Sequence, residues 1–227
     1  MSFRKFIKDL NGSEAEGELV KTIFVSLITS LVTFGVIYFL KLRYIEGVMS
    51  KYGFFLFFAI LSYAIILPSV RQVRAYRNFA CMSGMMIGMT IGMIAGFLPG
   101  FFIGATNGMF YGSIFGMAVG IFFGVWTGKC CGIMGIMEGI MAGFMGSLMG
   151  AMTSMMLLND NLKIAGVIVF AISGVIVTGL NYMIYIETRE VKTQHKDSEL
   201  FIIVWSFILT FLTILVMLFG PRSVFFQ

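Results

Sequence analysis

The sequence predicts an all-α integral membrane protein, a polytopic helical bundle of about seven transmembrane helices, and three observations predict it. Apolar residues make up 59% of the chain and charged residues 12%, against about 45–50% and about a quarter in soluble domains. The charges fall in clusters, leaving uncharged runs at 22–40, 52–70, 78–128, 164–186 and 200–220, and a further run from Cys130 to Asn159 broken only by Glu138. Each run approaches or exceeds the roughly 20 helical residues that cross a hydrocarbon layer.

The run from 78 to 128 is too long for one crossing, because at about 1.5 Å per residue it would reach about 77 Å. It is expected to turn back at Pro99-Gly100, where proline removes a backbone donor and glycine admits a tight turn. The spans are then 22–40, 52–70, 79–98, 101–128, 130–158, 164–186 and 200–220. They form one transmembrane domain, 22–220, between an N-terminal segment, 1–21, and a short tail, 221–227. A β-barrel would show alternating segments of about 10 residues instead. The hydrophilic pieces are too short to build a soluble core.

The ends have their own signals. Phe3, Phe6, Ile7 and Leu10 recur at helical spacing opposite Arg4, Lys5 and Lys8, which suits a short helix on the cytoplasmic interface. Asn11-Gly12 ends it, and Ser13 with Glu16 forms a capping pattern for the first span. The first apolar run is too long for a cleaved signal peptide.

Alternating the segments across the membrane sets Arg4, Lys5, Lys8, Lys21, Arg71, Arg74, Arg77, Lys129, Arg189, Lys192 and Lys196 on one side. Lys41, Arg43, Lys51, Lys163 and Arg222 fall on the other. The positive-inside rule then makes the N-terminus cytoplasmic and the C-terminus external, and the expected location is a prokaryotic cell membrane. The formal charge of +5 serves this bias and the anionic headgroups of the lipid bilayer. No basic stripe marks nucleic acid as a partner.

An internal repeat occupies the middle of the chain. Gly84, Gly88, Gly92, Gly96, Gly100, Gly104, Gly108, Gly112, Gly116, Gly120, Gly124, Gly128 and Gly132 recur every four residues, and Gly135, Gly139, Gly143, Gly146 and Gly150 continue at three or four. In lipid no hydrophobic force joins helices, so rows of small residues bring backbones close enough for dispersion and weak Cα hydrogen bonds. Spans three to five are expected to form one tight unit with glycine-zipper packing. A four-residue row drifts about 40° per step around an α-helix, so it reaches more than one neighbour. The rows resemble the glycine zippers of many membrane families, including the mitochondrial inner-membrane translocases, whose four-span plan is shorter.

Span five carries the most informative arrangement. At about 100° per residue, Cys131, Met134, Met141, Met145, Met149, Met152 and Met156 lie within about 60° of Glu138. The glycines centre to one side of this stripe, while Ile133, Ile136, Ile140, Phe144 and Ala151 form a third face suited to lipid. Glu138 is the one charged residue inside a span, and such a residue is costly without a partner. It reads either as a carboxyl that joins helices by hydrogen bonding or as a carboxylate beside a hydrated cation path.

Sulfur ligands are soft and select Cu(I). Met82, Met85, Met86, Met89 and Met93 add a second sulfur-rich segment in span three, and Cys81, Cys130 and Cys131 fall at cytoplasmic helix ends. These three cysteines make no closed disulfide framework. The candidate metal set is therefore Met82, Met85, Met89, Met93, Cys81, Cys130, Cys131, Met134, Glu138, Met141, Met145 and Met149. Spaced methionines beside glycine rows resemble copper uptake proteins of the Ctr type, and the resemblance implies Cu(I) as the bound or transported ion. Against it stands the ordinary use of methionine as a flexible filler beside glycine.

Asn107 and Asn181 read as interhelical hydrogen bonders, and His195 as a solvated loop residue. No catalytic triad, zinc spacing or phosphate loop is present, so no enzyme is expected. Three functions stay open: a transporter or channel-like protein for a soft cation, a structural or accessory subunit of a membrane complex or homo-oligomer, and a proton-coupled permease for a small solute.

Overall fold

The computed structural model describes residues 17–40, 48–75, 81–188 and 199–220, and every element in them is helical. The order is α1 (Gly17–Leu40), α2 (Val48–Ala75), α3 (Cys81–Asn107), α4 (Met109–Gly128), a 3-10 turn (Lys129–Cys131), α5 (Gly132–Met156), α6 (Leu162–Thr188) and α7 (Glu199–Phe219). Among the described residues, five stretches are long and apolar enough to cross a membrane: Gly53–Arg74, Cys81–Asn107, Met109–Met156, Leu162–Glu187 and Ile202–Phe219, with a shorter apolar helix at Lys21–Val36. The protein is an all-α polytopic membrane protein. The Ser13/Glu16 cap, the N-terminal interfacial helix, His195 and the C-terminal tail lie outside the described residues.

The turn expected at Pro99-Gly100 is not there. Helix α3 runs through Pro99 to Asn107, and the chain reverses at Gly108, with φ 94° and ψ 163°. A reversal within one residue needs backbone angles essentially confined to glycine. Proline loses only one ladder bond and is tolerated where neighbouring helices enclose it, and Pro99 is buried. Spans three and four are therefore 81–107 and 109–128, not 79–98 and 101–128.

Helices α3, α4 and α5 pack most closely, and their glycines meet backbone to backbone in register. Between α4 and α5 the pairs are Gly128 with Gly135, Gly124 with Gly139, and Gly120 with Gly143, and Gly116 meets Ser147. Each step of four up one helix is a step of four down the other. Between α3 and α4 the pairs are Gly88 with Gly128, Gly92 with Gly124, Gly96 with Gly120, Gly100 with Gly116, and Gly104 with Gly112. Helix α5 runs parallel to α3, setting Gly92 against Gly139, Gly96 against Gly143, Gly100 against Ser147 and Gly104 against Ala151.

The result is five layers, each with one small residue from each helix, about 6 Å apart and about 24 Å from first to last. A Cβ on Gly96 would sit 2.7 Å from the Gly143 oxygen, and one on Gly120 2.8 Å from the Gly96 Cα. The rows thus serve two neighbours each, and they face one another inside the chain rather than outward.

Helix α2 forms the other half of the interior. Phe55, Leu56, Ile60, Tyr63 and Leu67 are buried with Leu98, Phe101, Phe102 and Ile103 of α3. Phe58 stacks on Phe102 at 6.0 Å and meets Phe170 of α6 edge-on at 5.4 Å. Helices α1 and α7 pack on α2 and on each other, whereas α6 stays at the edge with most of its surface outward.

Candidate functional site

Cys81, Cys130 and Cys131 come together at one end of the α3–α5 unit. The 3-10 turn ends at Gly132, whose φ of 67° folds the chain back and carries Cys131 over α3. The Cys131 thiol donates to the Cys81 carbonyl at 2.8 Å, and the Cys130 thiol to the Thr127 carbonyl at 3.2 Å. A Cβ on Gly84 would lie 2.5 Å from Cys131 Sγ and 2.8 Å from Cys130 Sγ. The bare backbone at Gly84 is what admits the two sulfurs. None of the three forms a disulfide.

The two methionine segments, distant in sequence, share one seam. On the outer edge of the α3–α5 contact, Gly146 abuts the Met93 backbone and Gly150 the Phe97 backbone. Glu138, between Gly135 and Gly139, falls between the layers of Gly88 and Gly92 and so level with Met89, while Cys131 meets Cys81 at the lower end. The seam therefore passes from the thiols, past Met85, through the level of Glu138 and Met89, to Met93.

These side chains face away from the bundle interior. Met82, Met86, Met89 and Met93 of α3 and Met134, Met137, Met141, Met145, Met149, Met152 and Met156 of α5 are exposed on its surface, Met141 by 57%. Met85 and Glu138 are half-buried, and Glu138 has no hydrogen-bond or ion-pair partner among the described residues. The separate methionine and lipid faces expected on α5 merge into one broad outward face, which includes Ile133 and Phe144. Ala151 is the exception: it is fully buried as the small residue of the last layer. Among the described residues, no group of three or more His, Cys, Asp or Glu side chains is arranged to hold a metal ion.

A second polar feature escaped the sequence reading. Thr22, Ser26, Ser30 and Thr33 of α1 and Ser206, Thr210 and Thr213 of α7 are all buried. Ser30 Oγ and Ser206 Oγ share a hydrogen bond of 2.7 Å, and Arg71 of α2 donates to Thr22 Oγ1 at 2.6 Å. The signal was available as hydroxyls spaced by three and four in spans one and seven. They are less conspicuous than a carboxylate because each can satisfy itself on its own helix, as Thr33 does on the Thr29 carbonyl. On α2, Gln72 is buried with neither amide atom hydrogen-bonded among the described residues, and the Ser69 and Tyr63 hydroxyls are likewise without partners there.

The two asparagines divide. Asn107 is an interhelical hydrogen bonder, donating to the Val216 carbonyl at 3.1 Å while accepting from Thr106 at 2.8 Å. Asn181 is buried, and its Oδ1 has no hydrogen-bond partner among the described residues.

Fold and site define the class: a polytopic helical membrane protein, consistent with a transporter or channel, built on a three-helix glycine-packed unit with an outward sulfur-rich seam. Set against protein-family models, curated proteins and solved structures, the chain matches none of them.

Proposed function

We propose that this chain is a seven-span membrane transport protein for a soft monovalent cation such as Cu(I), with the path running along the α3–α5 seam. The observation that carries the reading is the register of that seam. It sets Glu138 level with Met89 and continues in one direction to Met93 and in the other past Met85 to the Cys81–Cys131 contact. Thioethers and thiols are the side chains a soft ion exchanges between, and a carboxylate at the same level offsets its charge.

Because the seam faces outward, a second copy of the chain is what would enclose it, so a homo-oligomer belongs to the proposal. Glycine-zipper packing of α3–α5 then gives the rigid wall, while flexible methionines supply the moving ligands. The N-terminus is cytoplasmic and the C-terminus external in this scheme, which sets the three thiols at the cytoplasmic end.

Metal content tests the reading. Purified protein incubated with silver or copper(I) and desalted is expected to retain metal in stoichiometric amount, and Met85→Leu/Met89→Leu/Met93→Leu to retain much less. Absence of metal from the parent protein, or equal retention in the triple variant, would overturn it.

A second reading has its own observation. The Gln72 and Ser69 groups, unpartnered among the described residues, lie on α2, which packs against both α1 and α7, and suit a small polar solute inside the bundle. An interior path is blocked by bulky substitution at Ser206, whereas a path along the outer seam is not.

A further inference from the structure

We propose that the outer face of α4 binds an anionic phospholipid, with an acyl chain in the groove beside Phe122 and the headgroup on Lys129. A groove of about 420 Å³ lies there, lined by Ile121, Phe122, Val125, Trp126 and Lys129. It follows α4 for eight residues, about 12 Å, and ends at the turn into α5. Its wall is apolar until Lys129, whose side chain is exposed at the mouth. An apolar channel closed at one end by a cation is complementary to one hydrocarbon chain joined to one negative headgroup.

The surroundings fix the groove's depth in the bilayer. Trp126 and Trp205 lie 5.3 Å apart, ring to ring, with Phe122 at 5.1 Å from Trp126 and 4.8 Å from Trp205. Tryptophan concentrates at the level of the headgroups, where its ring is in hydrocarbon and its N–H reaches water. The Arg74 guanidinium lies 5.3 Å from the Trp126 ring centre and is engaged there, which leaves Lys129 as the groove's own cation. Lys129 extends past this belt on a flexible stem, the geometry by which lysine keeps its ammonium among phosphates. Basic groups at a membrane surface favour anionic lipid by about fivefold each.

The chain carries only two tryptophans, and both belong to this cluster, so tryptophan emission, excited selectively beyond the tyrosine band, reports on it. The experiment reconstitutes the full-length protein in vesicles containing dibrominated phosphatidylglycerol or dibrominated phosphatidylcholine at increasing mole fraction and measures quenching. The expected result is half-maximal quenching at about fivefold lower fraction of the anionic lipid, falling toward parity in Lys129→Gln. That side chain is exposed in a turn, so the variant is expected to fold, and its unquenched emission maximum checks this. Equal curves for the two lipids in the parent protein would overturn the proposal, as would undiminished selectivity in Lys129→Gln.

Discussion

Gly124 of α4 and Gly139 of α5 stand in mutual backbone contact: a Cβ built on either one would run into the carbonyl of the other. The pair belongs to the second of the five layers, with Gly92 of α3 as its third member. Nothing softer than main chain lies there to move aside, so even one methyl group must separate two helices.

Gly139→Ala is therefore expected to destabilise the protein by about 1–3 kcal/mol, the usual range for overpacking. Gly179→Ala is the matched control, because nothing lies within 4 Å of a Cβ at Gly179. Removing a helical glycine there is expected to be neutral or stabilising by up to about 1 kcal/mol. Thermal unfolding of both variants in one detergent measures the difference, and equal midpoints would mean that the layer contact is not a tight one.

The position of the α3–α4 reversal separates Gly108 from Pro99. Gly108→Ala forces a side chain into backbone angles essentially reserved for glycine, and about 1–3 kcal/mol of strain is expected. Pro99→Ala restores a helical donor inside α3 and is expected to cost less, through lost packing alone. The opposite ranking in the same unfolding assay would place the turn back at Pro99.

The shared hydroxyl bond between Ser30 and Ser206 predicts a coupling between α1 and α7. A double-mutant cycle with Ser30→Ala and Ser206→Ala is expected to give about 0.6 kcal/mol, the average for interhelical side-chain bonds in membranes. Additive single effects would mean that each serine is satisfied by its own helix.

Glu138 divides path from packing. If its carboxylate offsets the charge of a passing cation, Glu138→Gln is expected to fold normally while silver or copper flux into vesicles falls. Glu138→Met would lengthen the thioether row and keep soft-metal binding. If the carboxyl instead joins this chain to a second copy by hydrogen bonding, Gln substitutes well, whereas Met leaves the partner copy's group unsatisfied and weakens the assembly. Flux in vesicles measured beside assembly in detergent distinguishes the two, and a Gln variant with full flux beside a weakly assembling Met variant would remove Glu138 from the path.

The membrane class, the helical state and the small-residue rows were legible without coordinates, because each depends on a local property of the chain. Hydropathy over about 20 residues fixes what lipid will accept, and a four-residue period fixes which residues share a helical face. The same local reasoning failed at Pro99, where it treated the loss of one hydrogen bond as a break. Whether a helix survives that loss depends on the neighbours that enclose it, and Gly108 offered backbone freedom nine residues later.

Which way the faces of α5 point was a tertiary decision. Glycine, methionine and isoleucine faces could be separated by angle alone, but angle does not say which of them meets protein. Packing chose the glycine face, since only bare backbone lets three helices meet in common layers, and this turned the methionines outward with the isoleucines. The same packing set Glu138 between the layers of Gly88 and Gly92 and brought Cys131 onto Cys81. By itself the sequence determined a polytopic helical membrane protein with a repeated small-residue row and a sulfur-rich stripe. The tertiary structure decided the seam and its outward exposure, because helix register and rotation are set by contacts between segments about fifty residues apart, which no local period encodes.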